Sequence, residues 1–378
     1  TYPEILEQNG YFVGSSGKTW GPGKTETPGR QLAGKRYKDF DEFLLQRDKE
    51  KPFCFWLGSG DPHRPYEEGT GIESGMDLSK IEVPACFPDV PEIRSDIADY
   101  YFEVQRFDTL VGEALKSLEQ AGELENTIVL MTGDHGFPFP RGKSNLYDIG
   151  ARVPLAVMWP KGIPKGQTHS GFVSFVDVAP TVLDAAGVSI PKDVSGKSRL
   201  GMMTNGEAST EEGRESIVFG KERHVPSQES PDWGGYPSRA IRTHEFLYIH
   251  NFTPERWPNG TPDYEHATIP GAWYADTDNG PTKTLIIEKK DSNEDFKRAY
   301  DLCFAKRPSE ELYDLRKDPD QLVNVAGEEE YADNLKELRE QLMETLRKTG
   351  DQRVLGHPEI YEEEPYLGGA PKYPGWKD

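Results

Sequence analysis

The chain has 378 residues, of which 35% are hydrophobic and 11% aromatic, so a packed core is expected and wholesale disorder is not. Its formal net charge of −21 opposes non-specific binding to nucleic acid or anionic lipid, although a local basic pocket can still hold an anionic substrate. The chain lacks the roughly 18 consecutive apolar residues that a transmembrane helix needs. Its three cysteines, Cys54, Cys86 and Cys303, show no C-x-x-C spacing and are predicted to be buried thiols.

The first half of the chain alternates between predicted strands and predicted helices. Residues 52–57 form a continuous apolar run that ends in Gly-Ser-Gly, which is typical of a buried parallel strand. In chain order we predict a helix at 2–9, a strand at 11–14, a helix at 39–49, a strand at 52–57, a helix at 95–120, strands at 126–132 and 153–159, and a helix at 177–186. This alternation predicts an α/β fold, in which a mainly parallel sheet is sandwiched by helices.

The pattern changes after about residue 205. Three further strands are predicted, at 238–243, 246–251 and 311–315, and the first two are joined by a short polar turn as in a β-hairpin. Leucines at helical spacing predict a helix near the C-terminus, and they are Leu335, Leu338, Leu342 and Leu346. We therefore predict a catalytic α/β domain at 1–205 and a smaller α+β subdomain at 206–378, with an antiparallel sheet, a terminal helix and an extended tail.

Polar residues gather in three loops that each follow a predicted strand. They are Lys18 and Trp20 in the first loop, His63 and Arg64 in the second, and Asp134, His135 and Lys143 in the third. Ligands bind at the carboxyl ends of strands in open α/β sheets, so we expect these loops to meet at one site. Asp134 suits a hard divalent cation, and the basic side chains suit an anionic oxyester better than a neutral substrate. Taken singly, each residue also fits a structural turn or an exposed surface position.

A series of motifs in a fixed order resembles the type I sulfatases of the alkaline phosphatase superfamily. The motifs are Gly10-Tyr-Phe, Gly17-Lys18, Asp61-Pro-His63, Thr132-Gly-Asp-His-Gly136, Lys143, Gly150-Ala-Arg-Val-Pro-Leu155, Val176-Asp-Val-Ala-Pro-Thr-Val-Leu183 and Glu311-Leu-Tyr-Asp-Leu315. The stretches 137–147 and 239–251 are most similar to the sulfamidase, or N-sulfoglucosamine sulfohydrolase, branch of that family. The resemblance covers nearly the whole chain and implies an alkaline phosphatase-like fold.

The resemblance also implies roles for the polar residues. Lys18 is similar to a lysine that contacts the sulfate and the nucleophile. His63 matches a histidine that holds the sulfate and helps to protonate the leaving group, and Lys143 matches a basic residue that bridges to the sulfate. Asp134 matches a ligand of a single calcium ion. His135 stands where many members have asparagine, so it is either a metal ligand or a hydrogen-bond partner of the substrate.

This chain departs from the family at two places. Trp20 stands close to the position where much of the family carries a histidine after the first lysine. Family members also begin with paired metal-binding aspartates and a C-x-P-S-R or S-x-P-S-R motif, whose Cys or Ser is oxidised to the formylglycine nucleophile. Neither feature is present in the chain, and residues 1–6 resemble the helix that follows that motif. We therefore expect formylglycine in the native protein, within an amino-terminal segment that this chain lacks.

Five side chains are predicted to bind the sugar, namely Trp20, Arg64, His224, Arg239 and Arg242. Arginine holds a carboxylate or sulfate through two parallel hydrogen bonds, which fixes its orientation. Alternation along a strand places Arg239 and Arg242 on opposite faces, so at most one should reach the substrate. Ion pairing with the acidic surface is an equally good prediction for both. We expect His224 and one of these arginines to set glycan selectivity.

Together, these observations predict a sulfatase that hydrolyses sulfate esters or N-sulfate groups of a sulfated sugar or polysaccharide. One alternative is a phosphodiesterase or phosphonate monoester hydrolase of the same superfamily, because phosphate and sulfate esters share a tetrahedral anionic centre. Another is a non-catalytic glycan-binding relative. The resemblance implies a secreted or periplasmic location, or a lysosomal one in an animal. We expect a sulfated carbohydrate as partner, no nucleic acid and no membrane insertion, while a homo-oligomer stays open.

Overall fold

Two units make up the structure. The computed structural model describes residues 1–21, 29, 31–204 and 214–377. The first unit comprises 1–62, 103–131 and 156–215, and the second comprises 63–102, 132–155 and 216–378. The predicted domain boundary at 205/206 lies outside the described residues, so that division of the chain stays a prediction.

Each predicted strand and helix is present, with bounds that differ by four residues or fewer. The strands in the described part of the chain are β1 (Phe12–Ser16), β2 (Lys35–Arg36), β3 (Phe53–Leu57), β4 (Val129–Thr132), β5 (Leu155–Met158), β6 (Ser216–Lys221), β7 (Ser238–Thr243), β8 (Phe246–Asn251) and β9 (Glu310–Asp314). The α-helices there are α1 (Tyr2–Gln8), α2 (Phe40–Gln46), α3 (Thr70–Glu73), α4 (Pro91–Gln120), α5 (Asp148–Ala151), α6 (Val178–Ala185), α7 (Leu200–Thr204), α8 (Pro281–Lys289), α9 (Glu294–Phe304), α10 (Ala332–Thr349) and α11 (Glu359–Glu362). None of these described helices combines the length and the apolar character that crossing a membrane requires.

A parallel sheet in the order β2-β1-β3 forms the core of the first unit. Side chains alternate between its two faces. The phenylalanines of β1 and β3 pack on one face around Phe43 of α2. Val13 and Cys54 point to the other face, where they pack with Leu6 of α1 and Leu183 of α6. The prediction of an α/β fold with helices on both faces of a parallel sheet is confirmed.

An antiparallel sheet in the order β6-β7-β8-β9 belongs to the second unit, as predicted. Ile241 and Leu312 on one face pack against the leucines of α10. Ala240 and Leu247 on the other face pack against Tyr147. Both faces are therefore covered, which explains why β7 and β8 are almost entirely buried.

A second core of this unit contains α8 and α9, two of the helices that the sequence does not predict. Three consecutive apolar residues at 285–287 conceal the helical period of α8, and only Ile286 among them is fully buried. Cys86 and Cys303 are buried in this core as free thiols, in agreement with the prediction. Cys54 is also a free thiol but is only partly buried, so the prediction of burial is wrong for that residue. Trp273 and Tyr274 pack into the same core, which anchors the chain immediately before residues 275–280.

Candidate active site

A buried ion pair anchors Arg64 and, with it, the neighbouring His63. The Nη1 and Nη2 atoms of Arg64 donate to Oδ1 and Oδ2 of Asp96 at 2.8 and 2.9 Å, and the two side chains are only 6% and 2% exposed. Thr282 donates to the same carboxylate from its backbone nitrogen at 3.0 Å and from its hydroxyl at 2.6 Å. The guanidinium also lies 4.2 Å from the ring centroid of Tyr66. Arg64 is thus engaged inside the second unit, and its contact with substrate stays a prediction.

His63 itself is exposed. Its Nδ1 atom lies 2.5 Å from the carbonyl oxygen of Arg64. A carbonyl oxygen can only accept a hydrogen bond, so Nδ1 carries the hydrogen. The Nε2 atom is therefore the one that can exchange a proton with a ligand.

Lys143 follows a tight loop that needs a glycine. The backbone nitrogen of Lys143 donates to the carbonyl oxygen of Phe137 at 2.9 Å. A Cβ atom on Gly142 would lie 2.0 Å from that same oxygen, so no other residue fits there without movement of the backbone. The buried guanidinium of Arg141 donates to the carbonyl oxygen of Leu302 at 2.6 Å and so ties the loop to the end of α9.

The ammonium of Lys143 is paired with a carboxylate that the sequence does not single out, that of Asp278. Nζ of Lys143 lies 2.7 Å from Oδ2 of Asp278, and the two side chains are 10% and 12% exposed. Burial raises the pKa of Asp278, but the hydrogen bond from Lys143 and the charges of Lys143, His63 and His224 outweigh it and hold the pKa below its usual value. Asp278 is therefore a carboxylate that pairs with Lys143 and lies within electrostatic reach of His63 and His224.

His224 lies beside the same group of residues. Its Nδ1 atom is 3.0 Å from the hydroxyl oxygen of Ser144 and 3.7 Å from Oδ1 of Asp276. The buried carboxylate of Asp276 accepts from the backbone nitrogen of Val225 at 2.9 Å and pairs with Nζ of Lys221 at 2.6 Å. Burial lowers the pKa of His224, and the charge of Asp276 opposes that shift. His224 is thus held in place on one side while part of its ring stays exposed to a ligand.

Asp134 and His135 stand together in the loop that follows β4. The side chain of Asp134 is 69% exposed, and its Oδ1 atom lies 3.8 Å from Nε2 of His135. Nδ1 of His135 donates to the carbonyl oxygen of Gly136 at 2.9 Å. Calcium takes about six to eight oxygen ligands. No group of three or more His, Cys, Asp or Glu side chains within the described residues could hold a metal ion. These residues alone do not fit calcium, so calcium binding at Asp134 stays a prediction.

Lys18 and Trp20 belong to the first unit, in the loop that leaves β1. The carbonyl oxygen of Lys18 accepts from the indole nitrogen of Trp56 at 3.2 Å. A Cβ atom on Gly17 would lie 1.8 Å from the carbonyl oxygen of Gly58, so this crossing of two backbone segments depends on glycine. Trp20 is 54% exposed. The predicted roles of Lys18 and Trp20 stay predictions.

Arg239 and Arg242 lie on opposite faces of β7, as alternation predicts. Nε of Arg239 donates to Oδ2 of Asp351 at 2.7 Å, and its Nη2 atom donates to Glu222. Nη2 of Arg242 donates to Oδ2 of Asp148 at 3.0 Å. Both arginines therefore occupy ion pairs within the second unit, and substrate contact by either one stays a prediction.

Sequence reasoning missed three residues of this region, which are Asp276, Asp278 and Lys283. The two aspartates stand in Asp276-Thr-Asp278-Asn, a composition that also fits an exposed turn. Lys283 is only 1% exposed, and its Nζ atom donates to the carbonyl oxygens of Trp273, Tyr274 and Thr277 at 2.9, 3.0 and 2.7 Å. Two aspartates one residue apart are only a weak signal, and nothing in the sequence links Asp278 to Lys143 or marks Lys283 as buried.

Two family models match the chain. Residues 4–188 match the model described as sulfatase. Residues 133–257 match the model described as N-sulphoglucosamine sulphohydrolase, C-terminal. Together they span the three loops of the predicted site and the strand that carries Arg239 and Arg242.

Curated relatives and a solved structure agree with these matches. The chain is 30% identical over 282 residues to an ulvan-active sulfatase of Formosa agariphila, covering 75% of this chain and 43% of that relative. It is also 30% identical over 347 residues to the N-sulphoglucosamine sulphohydrolase of Homo sapiens, covering 85% of this chain and 65% of that relative. The chain thus spans less than two thirds of the length of either one. A protein solved in complex with its substrate D-glucosamine-2-N,6-O-disulfate shares the fold, with a TM-score of 0.60 at 20% identity over 93% of this chain and 82% of that one.

Proposed function

The chain belongs to the sulfatase family, and from this premise we propose that it acts in hydrolysing sulfate esters or N-sulfate groups of a sulfated sugar or polysaccharide. The observation that supports this proposal best is the grouping of a buried lysine with histidines around one carboxylate. Lys143 pairs with Asp278, and the charges of His63 and His224 act on the same carboxylate. Such a group can hold a tetrahedral anion and can also exchange a proton with it.

Three residues would act on the sulfo group and on the atom that leaves it. The ammonium of Lys143 would stabilise the negative charge on the sulfo oxygens while the bond to the sugar breaks. As an imidazolium, His63 would donate the proton on Nε2 to the leaving oxygen or nitrogen and return to the neutral ring, while Nδ1–H stays bonded to the carbonyl oxygen of Arg64. Lys18 would add a second positive charge, as its resemblance to the family's first lysine implies.

Two cofactors are part of the proposal, namely formylglycine and a calcium ion. The sulfatase family generally uses formylglycine and a divalent cation, and formylglycine supplies the nucleophile when it is present. We propose that Asp134 contributes one carboxylate to a calcium site that other residues must complete, since the described residues alone do not fit the ion. His135 would either join that site or bind the substrate.

Exposed side chains would recognise the sugar. His224 is half-exposed and oriented by Ser144, so it is placed to contact sugar hydroxyls. Trp20, which is also exposed, offers an apolar face for a sugar ring. We also propose a secreted or periplasmic location, or a lysosomal one in an animal, as for a glycan-degrading enzyme.

The proposal is tested by kinetics on the gene-encoded protein, produced in cells that form formylglycine. Lys143→Ala should lower kcat/KM for an aryl sulfate by roughly a hundredfold, because a preorganised positive charge is lost. Lys297→Ala, which changes an exposed lysine of α9, is the matched control and should leave kcat/KM unchanged. Hydrolysis of a phosphonate ester but of no sulfate ester or sulfamate would contradict the proposal and favour the phosphonate hydrolase alternative.

A further inference from the structure

The carboxylate of Asp278 pairs with the ammonium that, in the proposed function, binds the sulfo group. Nζ of Lys143 is 2.7 Å from Oδ2 of Asp278, so the ammonium that would bind a sulfo group is already shared with an anion of the chain. The nearby Lys221 is likewise paired with Asp276 at 2.6 Å. His224 lies beside these groups too, and burial lowers its pKa below the usual value. A sulfate that arrives at Lys143 therefore meets a negative charge beside it.

The backbone around Asp278 is fixed on both sides, so the carboxylate has little freedom to withdraw. Nζ of Lys283 donates to the carbonyl oxygen of Thr277 at 2.7 Å and to Oδ1 of Asn279 at 2.9 Å. Nδ2 of Asn279 donates to the carbonyl oxygen of Lys372 at 2.6 Å. The residues immediately before and after Asp278 are thus held by hydrogen bonds, and the ion pair with Lys143 is a built feature of the site.

This arrangement distinguishes substrate from product by charge. A sulfate monoester carries one negative charge, whereas the sulfate ion that its hydrolysis releases carries two at neutral pH. Repulsion from a fixed carboxylate grows with the charge of the bound anion. The carboxylate therefore opposes the product more strongly than it opposes the substrate.

We propose that Asp278 weakens the binding of inorganic sulfate at Lys143 and so promotes release of the product. This inference rests on the proposed function, because it assumes that Lys143 is the sulfate-binding lysine. Asp278 acts by competing with the bound anion for the same ammonium, and the reaction needs no covalent step through it.

The test is calorimetric titration of the protein with sodium sulfate and with monoanionic methyl sulfate at constant ionic strength. Asp278→Asn should bind sulfate roughly tenfold more tightly than the unchanged protein, which is about 1.4 kcal/mol, and its gain for methyl sulfate should be smaller. Asp278→Ser, with a smaller uncharged side chain, should show the same gain if Asp278→Asn does not fold. Asp291→Asn removes an exposed aspartate of the same unit and should leave both affinities unchanged. In a Lys143→Ala background the gain from Asp278→Asn should largely disappear.

Unchanged or weaker sulfate binding by both Asp278 variants would overturn the inference, and so would an equal gain for the two ligands. A third titration with glucosamine tests the other role of Asp278. Weaker glucosamine binding by the variants, without a gain for sulfate, would also overturn the inference, since Asp278 would then be a ligand of the sugar amine. A gain for sulfate in a protein that hydrolyses no sulfate ester would support the role of Asp278 in anion binding and contradict only the proposed function.

Discussion

Two ion pairs of the second unit look alike in chemistry and differ in their surroundings. Asp96 receives two hydrogen bonds from Arg64 and two from Thr282, and both charged side chains are almost completely buried. The pair of Lys143 and Asp278 has a single hydrogen bond, is slightly more exposed, and adjoins histidines that can also bind an anion. The carboxylate of the first pair is enclosed by four hydrogen bonds, whereas the second pair is joined by one. Under the proposed function, Lys143 would exchange Asp278 for the sulfo group of a ligand. A cation in a motif is therefore informative about function only when its counterion is known.

The largest effect is expected when the ion pair of Arg64 and Asp96 is broken. Arg64→Ala leaves the carboxylate of Asp96 buried without its counterion, which should lower the free energy of unfolding by about 3–5 kcal/mol. Urea denaturation followed by circular dichroism measures this loss. Lys348→Ala, which removes an exposed ion pair with Glu344, is the control and should cost less than about 0.5 kcal/mol. A loss for Arg64→Ala as small as that of the control would show that the pair is not a structural anchor.

The second prediction concerns Lys283, which holds the backbone on both sides of Asp278. Lys283→Met fills the same space but leaves the carbonyl oxygens of Trp273 and Thr277 without the donor that they share, while that of Tyr274 keeps the backbone nitrogen of Thr277, so the free energy of unfolding should fall by about 3 kcal/mol. Lys297→Met on the neighbouring helix should have almost no effect, because that lysine is exposed. Thermal or urea unfolding reports both values. If Lys283→Met is as stable as the unchanged protein, the backbone around Asp278 does not depend on this ammonium.

The third prediction separates sugar recognition from sulfate chemistry. His224→Ala should lower kcat/KM for a sulfated oligosaccharide by roughly tenfold while changing that for a small aryl sulfate by less than about twofold, because one hydrogen bond to the sugar is lost. His266→Ala changes a fully exposed histidine and serves as the control. Equal losses on both substrates would place His224 with the sulfate-binding residues or show that its role is structural.

The smallest effect concerns the protonation of His224. Asp276 raises the pKa of this histidine against the stronger effect of burial, so Asp276→Asn should lower that pKa further. Histidine ring signals followed by NMR over pH 4–8 (the usual histidine value is about 6.5) measure the change. Asp263→Asn should likewise lower the pKa of His266, whose value Asp263 raises. An unchanged His224 pKa in the Asp276→Asn variant would show that the 3.7 Å separation is too long for effective coupling.

The same shift has a consequence for stability. His224 has a lower pKa in the folded chain than in the unfolded chain, so below about pH 6.5 the unfolded chain takes up a proton that the folded ring resists. His224 therefore costs stability as the pH falls through that value, and Asp276→Asn should widen the loss. Urea denaturation of the unchanged protein and of Asp276→Asn at pH 7.5 and at pH 5 measures the loss in free energy of unfolding for each.

Much of the fold could be predicted because its signals are local. The apolar run of β3 and the spacing of α4 required no knowledge of distant residues, and both elements are present. The helix α8 escaped prediction because its apolar residues are consecutive, so no period distinguishes its buried side. Among the site residues, His63, Lys143 and His224 could be named from motifs or from neighbouring charges. Asp278 could not, since its partner Lys143 lies 135 positions away in the chain.

The sequence by itself determined the family, the alternation of strands and helices in the first half of the chain, and the loops that carry the predicted sulfate-binding side chains, because motifs and periodicity are read from neighbouring residues. Only the tertiary structure decided which charges are available to a ligand. Arg64 and Lys143 look equally free in the sequence, but one is enclosed by Asp96 and an aromatic ring while the other shares its charge with Asp278. The physical reason is that the availability of a buried charge depends on its counterion and on its burial, and both are properties of chain segments that only folding brings together.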